Sequence, residues 1–362
     1  MRKVMMCPMT PRVTVRDLAK LAGVHFTTVS MALRNHPRIP APTRNRIKKL
    51  AKKMGYRPDA MLNALSIYRQ GTKKPCFQAT IAWINAHPAR ETLYHTALYR
   101  EYFRGARERA EELGYKLEEF WLGEPGLTQQ RLGVILNSRG IQGALVAPLD
   151  SHSDMKTMDV VPWRKLSAVS LSFSLRHPQI HTVTASQYRG MRSSLHELRK
   201  LGYRRIGFLM DSDLDLRGDH NWQAAFWVDY HSQPREWRVE PFWSPSGQVP
   251  KKPFRKWLET QRPDVITPCG AYVADIVRDL GLKVPRDIGL AHHNVDSDIK
   301  AFSGMDQCGS RIGASALEYL VDMLNRQECG VPESPKQILI EGHWVRGKTV
   351  RKVGPDLSLT RE

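Results

Sequence analysis

Residues 14–33, TVRDLAKLAGVHFTTVSMAL, decide the fold of the N-terminal part of the chain. Thr14 is followed three residues later by Asp17, a capping pattern that predicts a helix beginning directly after the threonine. Gly23 predicts a tight turn, because glycine tolerates the left-handed backbone with which many helices end. A second helix is predicted to begin at about Phe26 and to run to the end of the stretch. Two short helices joined by a glycine turn therefore open the chain.

A third helix is predicted after a proline-containing loop, with Thr43 as its cap and Gly55 at its end. Its apolar positions recur at helical spacing and are Ile47, Leu50, Ala51 and Met54. Three short helices can close one small core and leave a polar face on the second helix. This is the helix-turn-helix arrangement, in which the second helix enters the major groove of DNA.

The positive charge of the chain is concentrated in the same region. The 362 residues carry a formal net charge of +19, and residues 1–74 hold 17 Lys and Arg against two acids, a net +15. The rest of the chain has 38 basic and 34 acidic groups and is nearly neutral. This distribution indicates a small nucleic-acid-binding domain joined to a larger neutral one. A flexible basic tail is the alternative, and the caps and helical periodicity argue against it.

The stretch from Val13 to Leu65 resembles the DNA-binding domain of the lactose-repressor family of bacterial transcription regulators. The motifs that carry the resemblance are VTVRDLAKLAGV, the TVS triplet and GYRP. The resemblance implies that Phe26, Thr27 and Met31 occupy base-reading positions. The DNA-binding residues predicted from the resemblance and from the exposed helix face are Thr14, Phe26, Thr27, Thr28, Ser30, Met31, Arg34, Tyr56 and Leu65.

Two residues depart from the family pattern near the predicted DNA contacts. His25 stands where the family commonly has a serine at the cap of the second helix, and Met31 stands where it commonly has an arginine that binds guanine. Methionine offers only apolar contact, for instance to a thymine methyl group. We therefore expect an operator that differs from the family's commonest one.

Residues 58–70 form a short helical pattern starting at Pro58, a residue favoured in the first turn. Alone such a helix is marginal in water. The resemblance implies a hinge helix that folds on DNA, with Leu65 as a wedge in the minor groove. Asn63 and Ala64 differ from the residues that usually precede this leucine. A plain linker is the alternative.

From residue 77 onward, apolar strands alternate with helices, which predicts parallel sheets covered by helices on both faces. Two such halves resemble the bilobed fold that the lactose-repressor family shares with periplasmic binding proteins. The segments LRKLGYRRIGFL and GLKVPRDIGLA carry this resemblance. The predicted fold is an all-α helix-turn-helix domain followed by a bilobed α/β effector domain. The predicted domains are 1–57 (DNA binding), 58–76 (hinge helix and linker) and 77–362 (effector binding and dimerisation).

Ligands of such α/β folds bind beyond the carboxyl ends of the parallel strands, so the candidate ligand contacts come from the loops that follow the strands. Hydrogen-bonding groups beside an aromatic face would suit a sugar. Arg217 and Asn294 lie at or near pocket positions that the resemblance implies. The predicted effector-binding residues are Asn85, Asp150, Arg217, His220, Trp222, Asn294 and Asp296, and His87, Asp211 and Asp213 lie in the same loops.

Other chemistry is not indicated by the sequence. The five cysteines are scattered without a CxxC pair, and they are read as reduced residues rather than disulfides or zinc ligands. Gly342, Gly347, Lys348 and Thr349 satisfy a phosphate-loop pattern, but too little chain follows to build the required helix. His292 and His293 are adjacent on a predicted strand and are expected to face opposite sides. We predict no catalytic residues, no metal site and no cofactor.

The sequence thus predicts a transcription regulator, most simply a repressor, that binds double-stranded operator DNA as a homodimer. A small molecule, possibly a sugar, is the expected effector, and the expected location is the cytoplasm with no membrane contact. Two alternatives remain open at this point. One is a carbohydrate-binding protein with the same bilobed fold, and the other is a sugar-modifying enzyme with an added DNA-binding domain.

Overall fold

The computed structural model of the protein describes residues 14–33, 39–54, 77–149, 158, 161, 163–245 and 248–353. The chain divides into two compact units, one formed by residues 1–76 and the other by residues 77–362. Among the described helices, none is long and apolar enough to cross a membrane.

Three helices form the described part of the first unit: α1 (Val15–Ala22), α2 (Phe26–Leu33) and α3 (Ala41–Lys53). The predicted cap of α1 is confirmed, since the Thr14 N–H donates to Asp17 Oδ2 at 2.8 Å and the Asp17 N–H donates to Thr14 Oγ1 at 3.3 Å. Gly23 follows α1 with φ of +64°, the left-handed conformation that the turn requires.

The first unit has a single small core, built from one apolar face of each helix. Leu18, Val29 and Ile47 are fully buried at its centre. The start of α3 was predicted wrongly, because the helix begins two residues before Thr43, directly after Pro40. A proline in the first turn, here Pro42, costs nothing there because its missing N–H would have no intrahelical partner.

The second unit begins with a run of alternating strands and helices: β1 (Ala79–Asn85), α4 (Thr92–His95), α5 (Ala97–Glu112), β2 (Tyr115–Trp121), α6 (Gln129–Ser138), β3 (Gly143–Val146), β4 (Ser167–Ser170) and β5 (His181–Ala185). A second run follows: α7 (Gln187–Lys200), β6 (Ile206–Gly207), β7 (Leu209–Asp211), α8 (Ser212–Arg217), α9 (Asn221–Ser232), β8 (Phe242–Ser244), α10 (Lys251–Gln261), β9 (Val265–Cys269), α11 (Val273–Asp279), β10 (Gly289–His292) and β11 (Ser303–Asp306). The last elements are α12 (Gly309–Arg326), β12 (Gln337–Ile340) and β13 (His343–Val345).

These elements form two lobes, each built on one sheet. The first lobe has the strand order β12-β5-β4-β3-β1-β2, and the second has the order β13-β11-β10-β9-β6, with a small β7-β8 sheet beside it. The pairs are parallel as predicted, except that β13 runs antiparallel to β11. Both faces of each sheet are covered by apolar clusters. The predicted α/β fold class is therefore confirmed.

The chain crosses between the two lobes three times. The first crossing follows β5, the second lies between β11 and α12, and the third joins β12 to β13. Because of the second and third crossings, α12 and β12 return to the first lobe, where α12 packs against α5. The lobes are therefore connected by three short segments.

Candidate functional site

The first turn of α2 presents an ordered, exposed surface. The side chain of Phe26 is 46% exposed, and its ring lies 4.4 Å from the ring of His25. The His25 carbonyl accepts hydrogen bonds from the backbone N–H groups of Thr28 and Val29, so His25 caps the helix through its backbone. Its ring nitrogen Nδ1 lies 2.8 Å from Thr27 Oγ1. The three side chains at positions 25–27 therefore form one small contact surface.

The other predicted DNA contacts of the first unit differ in exposure. Met31 is half-buried and packs against the core, whereas Thr28 and Ser30 are half-buried at the side of the helix. The Thr14 hydroxyl is exposed but already donates to Asp17 Oδ2 at 2.7 Å. Three predicted contacts, Arg34, Tyr56 and Leu65, lie outside the described residues, as does the predicted hinge helix.

Lysines line the exposed side of α3: Lys48, Lys49, Lys52 and Lys53. Arg46, on the same helix, donates from Nη2 to the Ala22 carbonyl at 3.2 Å and so covers the end of α1. Lysines on a folded helix can contact phosphates, which fixes the position of a protein on DNA without reading its sequence. The first unit thus combines a candidate base-reading surface with a candidate phosphate-binding one.

A cavity of about 530 Å³ lies between the lobes of the second unit. Aromatic side chains and hydrogen-bonding groups from both lobes surround it. The first lobe contributes Tyr99, Tyr102, Ser172, Ser174 and Thr184, and the second contributes Arg217, Trp222, Tyr272, His292, His293, Asn294 and Asp296. This composition is typical of a pocket for a small polar molecule.

Four of the seven predicted effector-binding residues line this cavity: Arg217, Trp222, Asn294 and Asp296. Arg217 Nη1 donates to the Tyr99 hydroxyl of the opposite lobe at 3.4 Å. Its Nε atom is buried and has no hydrogen-bond partner among the described residues. Asn294 is almost fully buried, and its Oδ1 accepts from the Gln307 N–H at 3.2 Å. Arg217 therefore has a free donor beside the cavity.

Asn85 does not line the cavity, contrary to the sequence prediction. It ends β1 and is fully buried, and its Nδ2 donates to Glu119 Oε1 at 2.9 Å and to the Arg90 carbonyl at 3.1 Å. Its Oδ1 accepts from the His87 N–H at 3.0 Å. Because these bonds occupy its amide, Asn85 holds the loop after β1 in place. Asp150 lies outside the described residues.

His220 also does not line the cavity. It adopts φ of +58° between α8 and α9, and its Nδ1 lies 2.8 Å from Oδ2 of the buried Asp215. The same carboxylate oxygen accepts from Gln223 Nε2 at 2.7 Å. These contacts join α8 to α9. The imidazole of His220 therefore stabilises the turn between them, after which Trp222 reaches the cavity.

His292 and His293 do not point to opposite sides of a strand, as the sequence predicted. Their rings stack at 4.5 Å with an interplanar angle of 20°, and both line the cavity. The cause is the backbone, because β10 ends at His292 and its pairing with β9 shifts register after Leu290. Burial lowers the pKa of both imidazoles. Two neutral imidazoles therefore face the cavity at neutral pH.

Several cavity residues carry no sequence signal for this role. Tyr99 and Tyr102 lie in the first turns of α5, where aromatic residues are typical of an ordinary core face. Gln307 belongs to the second crossing, and its Nε2 donates to the His293 carbonyl at 2.9 Å. At the rim of the cavity, Arg100 of the first lobe pairs with Asp298 of the second. Only the folding of the two lobes brings these groups together.

The phosphate-loop pattern has a structural role in the second lobe. The Gly347 N–H donates to Ser303 Oγ at 2.9 Å, and Thr349 Oγ1 donates to the Leu290 carbonyl at 2.7 Å. No helix follows within the described residues up to 353. Because a phosphate loop must open a helix, these residues do not form one.

Residues 14–59 match the family described as bacterial regulatory proteins, lacI family. The chain is 24% identical over 211 residues to the HTH-type transcriptional regulator DegA of Bacillus subtilis, an alignment that covers 58% of either chain. It is 21% identical over 354 residues to the HTH-type transcriptional repressor PurR of Mannheimia succiniciproducens, covering 94% of this chain and 99% of the relative.

A solved structure of the transcriptional regulator CelR–cellobiose complex has a TM-score of 0.57 to this protein at 19% identity. That likeness covers 93% of this chain and 100% of the other, and it shows the fold. Fold and comparisons define a class of regulatory protein, with a helix-turn-helix domain followed by a bilobed α/β unit. Residues 14–59 thus carry a lacI-family domain, and the relatives that the longer alignments find are named as transcriptional regulators.

Proposed function

We propose that the protein is a transcriptional repressor that binds a near-palindromic operator as a homodimer and responds to a small, carbohydrate-like effector. The observation that supports DNA binding most directly is the exposed Phe26 and Thr27 surface on α2, in a unit whose α3 carries exposed lysines. Each subunit would place α2 in a major groove, and the two-fold symmetry of a dimer would set the spacing of the half-sites. Such a protein acts in the cytoplasm, where the bacterial chromosome lies.

The two parts of the proposed interface would contribute differently to binding. The exposed lysines on α3 supply attraction to phosphates, which every DNA sequence has and which weakens as salt is added. The Phe26 ring supplies an apolar surface that can contact a thymine methyl group, which only some sequences offer. Specificity for an operator should therefore depend on α2, and general affinity on α3.

Replacing Phe26 by alanine is expected to weaken operator binding by about ten- to a hundredfold, because one base contact is worth about 1 to 3 kcal/mol. Binding to random DNA should change much less. The operator is first obtained by selecting bound sequences from random duplexes, and affinities are then measured by fluorescence anisotropy at several salt concentrations.

The matched control is Leu21→Ala, which removes an exposed apolar side chain from α1 of the same unit. This control should bind the operator like the unaltered protein. Equal affinity of the unaltered protein for operator and random DNA would contradict the proposal of specific binding. Equal losses for both variants would contradict the special role of α2.

Support for a carbohydrate-like effector comes from the chemistry of the cavity. Trp222 and Tyr272 offer aromatic faces, and Arg217 holds a buried Nε donor without a partner in the described structure. A polyhydroxylated molecule can use both, since its C–H faces pack on aromatic rings while its hydroxyls accept from the arginine. Effector binding would act on DNA affinity through a coupling of typically about 1 to 3 kcal/mol.

Substitution of Arg217 by lysine is expected to weaken effector binding at least about tenfold, because lysine lacks the fixed fork of donors of a guanidinium. Cellobiose and a panel of other mono- and disaccharides serve as probes, with binding followed by tryptophan fluorescence and by thermal shift. Arg235→Lys, on an exposed turn outside the cavity, is the control. If no saccharide of the panel binds, or if Arg217→Lys binds as tightly as the control, the carbohydrate proposal is wrong.

A further inference from the structure

Three side chains of different chemistry meet where the second and third crossings lie side by side. They are Asp306 at the end of β11, Cys308 just before α12, and His343 at the start of β13. Their possible ligand atoms all lie within 4.8 Å of one another. None of them lines the large cavity between the lobes. The sequence predicts no metal site, and no spacing motif joins Cys308 to His343, which lie 35 positions apart.

The backbone and side chains hold the thiol in this cluster. Cys308 adopts φ of +59°, a left-handed conformation that is uncommon for a residue other than glycine. Its N–H donates to Asp306 Oδ1 at 2.7 Å, which fixes the carboxylate beside it. The other carboxylate oxygen, Oδ2, lies 4.0 Å from His343 Nε2. One carboxylate thus orients the backbone of Cys308 and still faces the imidazole.

The distance between sulfur and nitrogen matches what a tetrahedral ion requires. Cys308 Sγ lies 3.5 Å from His343 Nδ1. With Zn–S bonds of about 2.3 Å and Zn–N bonds of about 2.0 Å, tetrahedral coordination separates the two ligand atoms by about 3.5 Å. His343 is largely exposed, so its ring has room to adjust around an ion. The Asp306 carboxylate is close enough to be the third ligand.

The mixture of ligands indicates which ion would bind. Calcium and magnesium prefer sites made only of oxygen atoms. Zinc is bound in proteins by thiolate, imidazole and carboxylate together, often with water in the fourth position. The carboxylate of Glu101, on α5, lies against Gly309 and adds negative charge beside the cluster. Arg311 adds a positive charge near the same thiol, so it is the combination of thiol, imidazole and carboxylate that favours zinc here.

We propose that Asp306, Cys308 and His343 form a binding site for a zinc ion at the connection between the two lobes. Asp306 and Cys308 lie at the second crossing, and His343, which pairs with Asp306 across β11 and β13, lies directly after the third. A bound ion would therefore tie two of the three connecting segments together. This site is separate from the proposed effector cavity and does not depend on the proposed DNA-binding function.

The test uses the full chain after removal of metal with a chelator. Zinc is added and its binding is measured by calorimetry and by elemental analysis after dialysis, and Co²⁺ is used as a spectroscopic probe. One zinc ion per chain and a thiolate-to-cobalt charge-transfer band are expected. Cys308→Ser should abolish the band and weaken zinc binding at least about tenfold, and His343→Gln should weaken zinc binding by a similar factor.

Cys329→Ser is the matched control, since Cys329 is a free and exposed cysteine outside the cluster. It should keep the band, the stoichiometry and the affinity. Circular dichroism verifies the fold of each variant. If Cys308→Ser does not fold, the loss of zinc affinity in His343→Gln is the test of the site. The proposal is overturned if the unaltered chain binds no zinc at micromolar concentrations. It is equally overturned if the band survives in Cys308→Ser or is lost in Cys329→Ser.

Discussion

Replacing Gly313 by alanine is expected to destabilise the 77–362 unit by about 3 kcal/mol or more and to lower its melting temperature by about 6 to 12 °C. Gly313 lies in α12 where this helix crosses α5 of the first lobe. A Cβ atom on Gly313 would lie 2.0 Å from the backbone carbonyl oxygen of Tyr102. Since that oxygen belongs to helical backbone, it cannot rotate away as a side chain could. The two helices would have to separate, which would open the fully buried apolar core around Leu317.

The same crossing offers a second variant and a matched control. A Cβ on Gly105, on the opposite helix, would lie 1.9 Å from the Ser310 carbonyl oxygen, so Gly105→Ala should have a similar effect. Gly190, also within a helix, has only ordinary contact at 3.9 Å with the end of Met305. Gly190→Ala should therefore be neutral or stabilise by up to about 1 kcal/mol, because alanine favours helix. Differential scanning calorimetry measures all three, and equal melting temperatures for Gly313→Ala and Gly190→Ala would contradict the close approach.

Acidification from pH 7 to pH 5 is expected to destabilise the second unit through its stacked histidines. Burial lowers the pKa of His292 to about 3 and that of His293 to about 4, from an ordinary value of 6.5. Above pH 6.5 neither state of the protein protonates these rings, and their contribution to stability is complete. As the pH falls below 6.5, the unfolded chain takes up protons that the folded chain does not. Stability is therefore lost between pH 6.5 and the folded-state pKa values.

The size of this effect follows from proton linkage. Each histidine contributes up to about 1.4 kcal/mol per pH unit, or roughly 2 kcal/mol by pH 5. Thermal unfolding between pH 7.5 and pH 5 measures the loss. His292→Gln should lower the slope of stability against pH, because one titrating group is removed. His231→Gln removes an exposed imidazole on α9 and is the control for a change in the number of histidines.

The outcome that would contradict this prediction is a slope that is the same in His292→Gln and in the control. The prediction also bears on the proposed effector. In the neutral His292 ring, Nδ1 accepts from the Asn294 N–H at 3.0 Å, which leaves the Nε2–H as a donor. Because the folded chain keeps both imidazoles neutral down to about pH 4, effector affinity should stay constant between pH 7.5 and pH 5 while the stability of the unit falls.

Local patterns in the sequence were sufficient to predict the helices of the first unit. The capping pair of Thr14 and Asp17, the turn at Gly23 and the period of the apolar residues are contained in short segments, and the helices form where these signals predict. The exception is the start of α3, where a proline rather than Thr43 precedes the first turn. The alternation of strands and helices in the second unit was likewise readable, because each strand and helix is a continuous segment.

The candidate cavity was predicted only in part. Arg217 and Trp222 follow the end of β7 in the sequence, so the sequence could predict that they lie near the cavity. Asn85 also follows the end of a strand, but its amide is used by Glu119 and by its own loop. Whether a loop side chain lines the cavity depends on which residues the neighbouring strands place beside it. Its distance from a strand end in the sequence does not reveal this.

The sequence by itself determined the three-helix unit with its excess of positive charge and the parallel α/β class of the remainder, since both depend on signals between residues close together in the chain. Only the tertiary structure decided which side chains share a site. The cavity takes Tyr99 from one lobe and Asn294 from the other, and the proposed zinc site joins Cys308 to His343. The physical reason is that three crossings bring distant segments together, and contacts of this kind leave no periodic trace in the order of the residues.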